Sequence, residues 1–379
     1  MNDAIYYTPS GKLRARALGL KFEGVTGQYN SITDVAGVAV GYSTLITGSG
    51  ALRVGQGPIR TGVTAILPRH KVDTCCPVFA GYFNFNGNGE LSGAHYLDEV
   101  GQLSFPITIT NTHSCGVTRD ATLQWVSKAI TGALTDTFAL PVSAETYDGF
   151  LSDINGFHIT REHVFAAIES ATEGPIEEGS VGGGTGMKCF DFKAGSGTAS
   201  RRVSYNTETF TLGVFVQANF GQRAHLTILG NNIGANLSKP AMIRNTTVPD
   251  LSSIIVTIAT DAPLLPHQLQ RLARRATLGM GRLGTTGNHS SGDLFLAFST
   301  ANKPALAATN TSIQDLQFIP DQHLDPLFDA VVQGVEEAII NSMVANETME
   351  GRDGNTVPAL PHAVLEQIAG TGSPLKTDK

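Results

Sequence analysis

The sequence predicts an α/β fold in which sheets are layered with helices, and three observations carry that prediction. Hydrophobic residues make up 41% of the 379-residue chain and charged residues only 16%, the balance of a protein that buries a large core. Glycine occurs 42 times, which suits tight turns and close backbone approaches between strands. Short β-branched and aromatic runs predominate early, and stretches of helical period are inserted between groups of strands. No Ser/Pro-rich linker, composition shift or internal repeat divides the chain, so a single domain over residues 1–379 is expected.

The strand-like runs come in order at 35–41 (VAGVAVG), 62–68 (GVTAILP), 78–85 (VFAGYFNF), 105–111 (FPITITN), 209–218 (TFTLGVFVQA), 224–229 (AHLTIL), 254–260 and 293–299 (DLFLAFS). Helical patterns are fewer. One spans about 119–132, and another about 161–171 after the capping candidate Thr160. In 263–281, Pro266 opens a stretch whose Leu265, Leu269, Leu272, Ala276 and Met280 form an apolar stripe opposite Arg271, Arg274 and Arg275. In 325–346, Asp325 is an N-cap candidate before Pro326, and Val331, Val335, Ile339 and Met343 recur every four residues. Beyond about 350 one short helix is expected before the end frays.

Several function classes are disfavoured. A net charge of −7 without a basic run argues against nucleic acid and against an anionic membrane surface. No apolar run reaches the roughly 18 residues of a membrane span, and the first residues lack a signal-peptide pattern, so a cytoplasmic protein is expected. Cys75, Cys76, Cys115 and Cys189 show neither a C-x-x-C pair nor metal spacing, which predicts reduced thiols, no metal and no cofactor.

The glycine-rich stretch 181–202 (VGGGTGMKCFDFKAGSGTASRR) has neither a phosphate-loop nor a dinucleotide pattern, so its glycines are read as a close backbone turn beside a cleft. His95 and His113 are the histidines placed to act as bases, but no G-x-S-x-G elbow accompanies them. Polar groups at the ends of apolar runs are more suggestive. Asn219 ends FVQANFG, Glu145 and Tyr147 lie in SAETYDGF, Ser291 and Asp293 precede LFLAFS, and Ser252 and Ser253 open SSIIVTIAT. Together they supply a hydroxyl nucleophile, an amide donor, a phenol and carboxylates, the parts of an acyl-transfer site.

The blocks GQYNSITDVAGVAVGYSTL, GNGELSGAHYLDEVGQLSFPITITNTHSCGVTRDA, AETYDGFLSDINGFHI, VGGGTGMKCFDFKAGSGTASR, GVFVQANFG, SIIVTIATDAPLLPHQLQRLARRATLGMGR and SGDLFLAFST carry a resemblance from about residue 12 to about 370. In this order they resemble the DmpA/BapA-type aminopeptidases, which include L-aminopeptidase D-amidase/D-esterases and β-peptidyl aminopeptidases. The resemblance implies a four-layer αββα sandwich like that of N-terminal-nucleophile hydrolases, with the connectivity shared by ornithine acetyltransferases. It also implies a precursor that cuts itself between Ser252 and Ser253 into 1–252 and 253–379, and a homotetramer of the processed unit.

Carried over by motif, Ser253 is the nucleophile, Asn219 the oxyanion donor, Ser291 and Asp293 a pair that tunes the nucleophile, and Tyr147 the active-site tyrosine. Glu145 is assigned to the ammonium group of a small peptide, amide or ester substrate with a free amine. The freed α-amine of Ser253 would accept its own hydroxyl proton, so no histidine is required. This sequence departs from the family at Ser252, where Gly or Asn is usual, and at Asp293, where some β-peptide-cleaving members carry Glu. An ornithine-acetyltransferase-like transferase, whose nucleophile would be threonine, and an uncleaved non-catalytic homologue are the alternatives.

Overall fold

The structure, a computed structural model, describes residues 3–135, 137–247, 251–307 and 310–371. In chain order its strands are β1 (Ala39–Thr47), β2 (Ile59–Leu67), β3 (Val78–Gly87), β4 (Gln102–Leu103), β5 (Ile107–Asn111), β6 (Ser143–Thr146), β7 (Lys188–Cys189), β8 (Phe192–Lys193), β9 (Ser196–Tyr205), β10 (Glu208–Asn219), β11 (Thr227–Ile228), β12 (Asn231–Asn232), β13 (Ser252–Thr260), β14 (Ser291–Ser299), β15 (Met349–Glu350) and β16 (Thr356–Val357). The helices are α1 (Ala94–Val100), α2 (Cys115–Ala129), α3 (Arg161–Glu169), α4 (Pro266–Arg282), α5 (Asp325–Val344) and α6 (His362–Thr371). A four-stranded sheet runs β1-β2-β5-β6 and a six-stranded sheet runs β4-β3-β14-β13-β10-β9. The pairs β5/β6 and β13/β14 are parallel and the other pairs in these sheets antiparallel. A parallel pair needs a crossover, and α2 and α4 supply the two.

Side-chain alternation sorts the layers. On β2, Val63, Ala65 and Leu67 pack against Trp125 and Val126 of α2 and Val164, Ala167 and Ile168 of α3. Ile66 points the other way, into a layer shared with Ile255, Leu294, Leu296 and Phe298 of the larger sheet. The far face of that sheet presents Ile254, Val256 and Ile258 to Leu269 and Leu272 of α4 and to Val331, Val335 and Ile339 of α5. The order α2/α3, sheet, sheet, α4/α5 is the αββα sandwich that the resemblance implied. Burying each of the β13 aliphatic side chains is worth about 1.5–3 kcal/mol, so the start of β13 is anchored from both faces.

Several local expectations are corrected. The run at 35–41 becomes a strand only from Ala39. Residues 224–229 form a short 3-10 turn (Arg223–His225) followed by β11, because Ile233 and Gly234 both bond back to the Leu226 carbonyl, and Leu226 and Ile228 are apolar as core residues. Asp325 is the first helical residue of α5, not its cap, and Leu324 holds the N-cap position. Strand β9 was not foreseen, since its small residues do not advertise it. Gly197 lies so near α5 that a Cβ there would sit 2.0 Å from the Ala338 carbonyl oxygen.

Candidate active site

Ser253 and Asn219 are register partners at adjacent strand ends. Both face the gap between the sheets. Gln217, two residues before Asn219, crosses that gap to donate to the Thr110 carbonyl at 3.0 Å. The Ser253 hydroxyl oxygen accepts from the Tyr147 backbone N–H at 3.3 Å and from Asn219 Nδ2 at 3.4 Å. Asn219 is held in one orientation: Nδ2 also donates to the Tyr147 carbonyl at 3.0 Å, and Oδ1 accepts the Lys188 N–H at 3.1 Å. A backbone N–H can only donate and a carbonyl only accept, so the amide cannot be flipped. Two N–H donors thus converge at the serine, the arrangement that stabilises an alkoxide or a tetrahedral oxyanion.

Ser291 and Asp293 meet on β14, where the Ser291 hydroxyl donates to Asp293 Oδ1 at 2.6 Å. Ser252 pairs with Ser291, Ser253 with Gly292 and Ile254 with Asp293. Alternation therefore puts the Ser291–Asp293 pair on the face of Ser252 and Ile254, flanking the 252–253 peptide rather than the Ser253 hydroxyl. Burial pushes the Asp293 carboxyl up to about 6, against the opposing Ser291 bond. Among the described residues, no hydrogen-bond partner reaches the buried Asp293 Oδ2 or Ser252 Oγ.

Glu145, on β6, is 3% exposed and accepts the Glu90 N–H at 2.9 Å on Oε1 and the Thr112 hydroxyl on Oε2. Burial raises its pKa, while those two bonds pull it down. A carboxylate has about four acceptor positions, so roughly two remain for a further donor. The loop that reaches Glu145 also closes on the β13/β14 pair: a Cβ on Gly89 would lie 3.1 Å from Glu145 Oε1 and 3.2 Å from the Gly292 Cα.

Tyr147 contributes its peptide group more directly than its phenol. Its N–H and carbonyl hold Ser253 and Asn219, whereas the ring turns toward Gly149, where a Cβ would meet the hydroxyl at 2.4 Å. Residue 148, not singled out in the sequence, is a fully buried aspartate. Burial pushes it up to about 7, opposed in part by hydrogen bonding from Thr61 and Asn111. It sits inside the AETYDGF block, but only the three-dimensional packing reveals its burial.

Only the head of the glycine-rich stretch is the turn expected of it, because 188–189, 192–193 and 196–202 are strand residues of β7, β8 and β9. Gly182 and Gly183 donate backbone N–H groups to Thr44 and Thr64 at 2.8 and 3.1 Å. A Cβ on Gly183 would lie 2.2 Å from Gln217 Oε1 and 2.5 Å from the Ile109 carbonyl oxygen, so this backbone can wedge between the two sheets only as glycine. His113 stacks on Phe157 with ring centroids 6.2 Å apart, and His95 is exposed on α1. Among the described residues, the partners of the Ser253 hydroxyl are an amide and a peptide N–H, not a histidine.

A serine at the head of a central strand, with N–H donors at its hydroxyl and an αββα sandwich around it, defines a serine hydrolase of the N-terminal-nucleophile class. The profile of peptidase family S58 matches residues 30–357, and the chain belongs to that family. It is a serine-type aminopeptidase, as the sequence blocks implied. Beta-peptidyl aminopeptidase BapA of Sphingosinicella microcystinivorans is 48% identical over 366 residues, covering 94% of this chain and 91% of the relative. The L-aminopeptidase D-Ala-esterase/amidase of Ochrobactrum anthropi, described as a prototype for the serine aminopeptidases and a new variant among the Ntn hydrolase fold, superposes with a TM-score of 0.86 at 46% identity, over 94% of this chain and 99% of that one. A Burkholderia sp. beta-aminopeptidase gives a TM-score of 0.84 at 42% identity, over 95% and 99%.

Proposed function

We propose that the chain cuts its own backbone between Ser252 and Ser253 and then releases N-terminal residues from small peptides, amides or esters through an acyl-enzyme on Ser253. The observation that carries this reading is the convergence of the Tyr147 N–H and the Asn219 amide on the hydroxyl that opens β13. In the cleaved enzyme the α-amine of Ser253 takes the hydroxyl proton as the oxygen adds to the substrate carbonyl carbon. Negative charge moves to the carbonyl oxygen, which the Asn219 amide and the Tyr147 N–H stabilise. The intermediate collapses with breakage of the C–N or C–O bond, and the leaving group carries off the proton from the amine. Water repeats the sequence on the ester and frees Ser253.

Glu145 holds the ammonium of the substrate's first residue in its two open acceptor positions. A blocked, uncharged N-terminus would leave that buried carboxylate unpaired, which is the basis of aminopeptidase specificity. Ser291 and Asp293 flank the bond to be cut and afterwards the new α-amine, so they set its proton affinity. Small residues such as Ala or Gly, and D-alanine amides or esters, are the proposed α-amino substrates. Identity of 48% and 45% to two β-peptidyl aminopeptidases favours β-peptides as a second class, although Asp293 is one methylene shorter than the Glu of some such members. A homotetramer of processed units in the cytoplasm completes the proposal; among the described residues no helix is long and apolar enough to cross a membrane.

The test is Ser253→Ala. It should run as one 39.9 kDa band on a denaturing gel and lose hydrolysis of alanine p-nitroanilide, whereas the parent gives two fragments divided at residue 252. Two bands and retained hydrolysis from the variant would overturn the assignment. Comparing β-alanyl with L-alanyl p-nitroanilide on the parent decides between the substrate classes.

A further inference from the structure

Lys193, on β8, is completely buried, and among the described residues no carboxylate is among the groups that act on its charge. Its Nζ donates instead to two backbone carbonyls, Met187 at 2.9 Å and Ala194 at 2.6 Å. Burial, followed by the charge of Lys12, drives its pKa well below the usual lysine range. An enclosed ammonium or amine is costly where an aliphatic side chain would fill the same space, so its position calls for a cause.

The cause lies in what the Met187 carbonyl is bonded to. That carbonyl and the Lys188 N–H are the two ends of one peptide unit. The oxygen accepts from Lys193 Nζ and from the Ala194 N–H at 3.2 Å, and the N–H donates to Asn219 Oδ1 at 3.1 Å. The Asn219 side chain is a second amide in series: its oxygen accepts and its Nδ2 donates to Ser253 at 3.4 Å. A donor at an amide oxygen draws electron density from the nitrogen, so each N–H along such a chain becomes a stronger donor and its direction is more narrowly fixed. Met187 is also secured from its side chain, since Thr146 donates to its sulfur at 3.0 Å.

We propose that Lys193 is a positioning residue that acts through the Met187–Lys188 peptide to orient the Asn219 amide and strengthen it as a donor to the oxyanion. The inference rests on the reading of Asn219 as the oxyanion donor, and it adds a group that never touches substrate. No proton leaves Lys193 in this role; it holds its hydrogen bonds throughout the cycle.

The experiment is a double-mutant cycle of Lys193→Met and Asn219→Ala, with rates per titrated active site, or the rate of self-cleavage for variants arrested as precursor. Lys193→Met should lower kcat about tenfold and leave KM within about twofold, while Asn219→Ala should cost about a hundredfold or more. In the double variant the Lys193 change should add less than about twofold, because its effect passes through Asn219 alone. A Lys193→Met rate within about twofold of the parent, or an undiminished tenfold loss on top of Asn219→Ala, overturns the proposal. An unaffected Asn219→Ala enzyme would instead overturn the underlying reading of the site. Should circular dichroism show Lys193→Met unfolded, Lys193→Gln carries the same cycle, with a smaller loss expected because it keeps an N–H donor.

Discussion

Asp148 offers a measurement in which the sign of the effect is fixed by the structure. Its carboxyl titrates near 3.8 when exposed and is pushed up to about 7 by burial. Below pH 3.8 both folded and unfolded chains hold the proton, and the group costs nothing. Between these values only the folded chain keeps it, and above pH 7 both lose it, so the folded state then carries a carboxylate that burial has stripped of water. Stability from this group is therefore complete below pH 3.8, falls as pH rises from there, and is fully lost once pH passes 7. The roughly three-unit displacement corresponds to about 4 kcal/mol, an upper figure because the interior relaxes around a charge.

Asp148→Asn mimics the protonated acid at nearly constant volume and removes that dependence. The assay is thermal unfolding of Asp148→Asn against its parent from pH 5 to pH 9, both carrying Ser253→Ala so that one uncleaved species is compared. With an unfolding entropy of roughly 2 cal/mol/K per residue, 4 kcal/mol in a chain of this length is a rise of about 5 °C. The asparagine variant should already melt about 2 °C higher at pH 5, where roughly 1.6 kcal/mol of the difference has developed, and should reach the full rise of about 5 °C by about pH 7 and hold it to pH 9. A difference that stays constant with pH, or that grows in the opposite direction, would refute the account of the buried acid.

Two further outcomes are expected. Glu145→Gln should reduce kcat/KM for free-amine substrates by about a hundredfold through KM, since a charge-assisted bond to the ammonium is lost, with little change in melting temperature; steady-state kinetics on alanine p-nitroanilide checks this. Ser252→Gly should speed self-cleavage several-fold, because glycine lets the 252–253 peptide twist; the decay of the precursor band against time measures it.

The layered fold was legible because strands such as 62–68 and 254–260 are apolar on both faces, and helices such as 325–346 show their stripe without help from the rest of the chain. The serine, the amide and the Ser-x-Asp pair stand out because they lie where apolar runs begin or end, while the roles assigned to them come from the family resemblance. What escaped notice was set by contact between distant segments. β9 reads as a loop because its Ser, Gly and Ala are chosen for the closeness of α5. Asp148 and Lys193 stand in glycine-rich, mixed segments, and no spacing announces a carboxyl buried from water or an amine seated on carbonyl oxygens. The role of Tyr147 shifted for the same reason, since a peptide N–H carries no signature in the sequence.

The order β4-β3-β14-β13-β10-β9 has a bearing on when a cut at residue 252 could take place. Strands β13 and β14, which belong to the segment after the bond, are inserted between β3 and β10, which precede it. Neither part can complete the sheet alone, so the two products would remain interleaved through ladders on both sides, held as one body without a covalent link. The Tyr147 N–H comes from the other sheet, and it reaches Ser253 only after the sheets have closed on each other. Cleavage chemistry that needs this donor is therefore available only to a chain that has finished folding, and the new N-terminus would mark a molecule already correctly assembled.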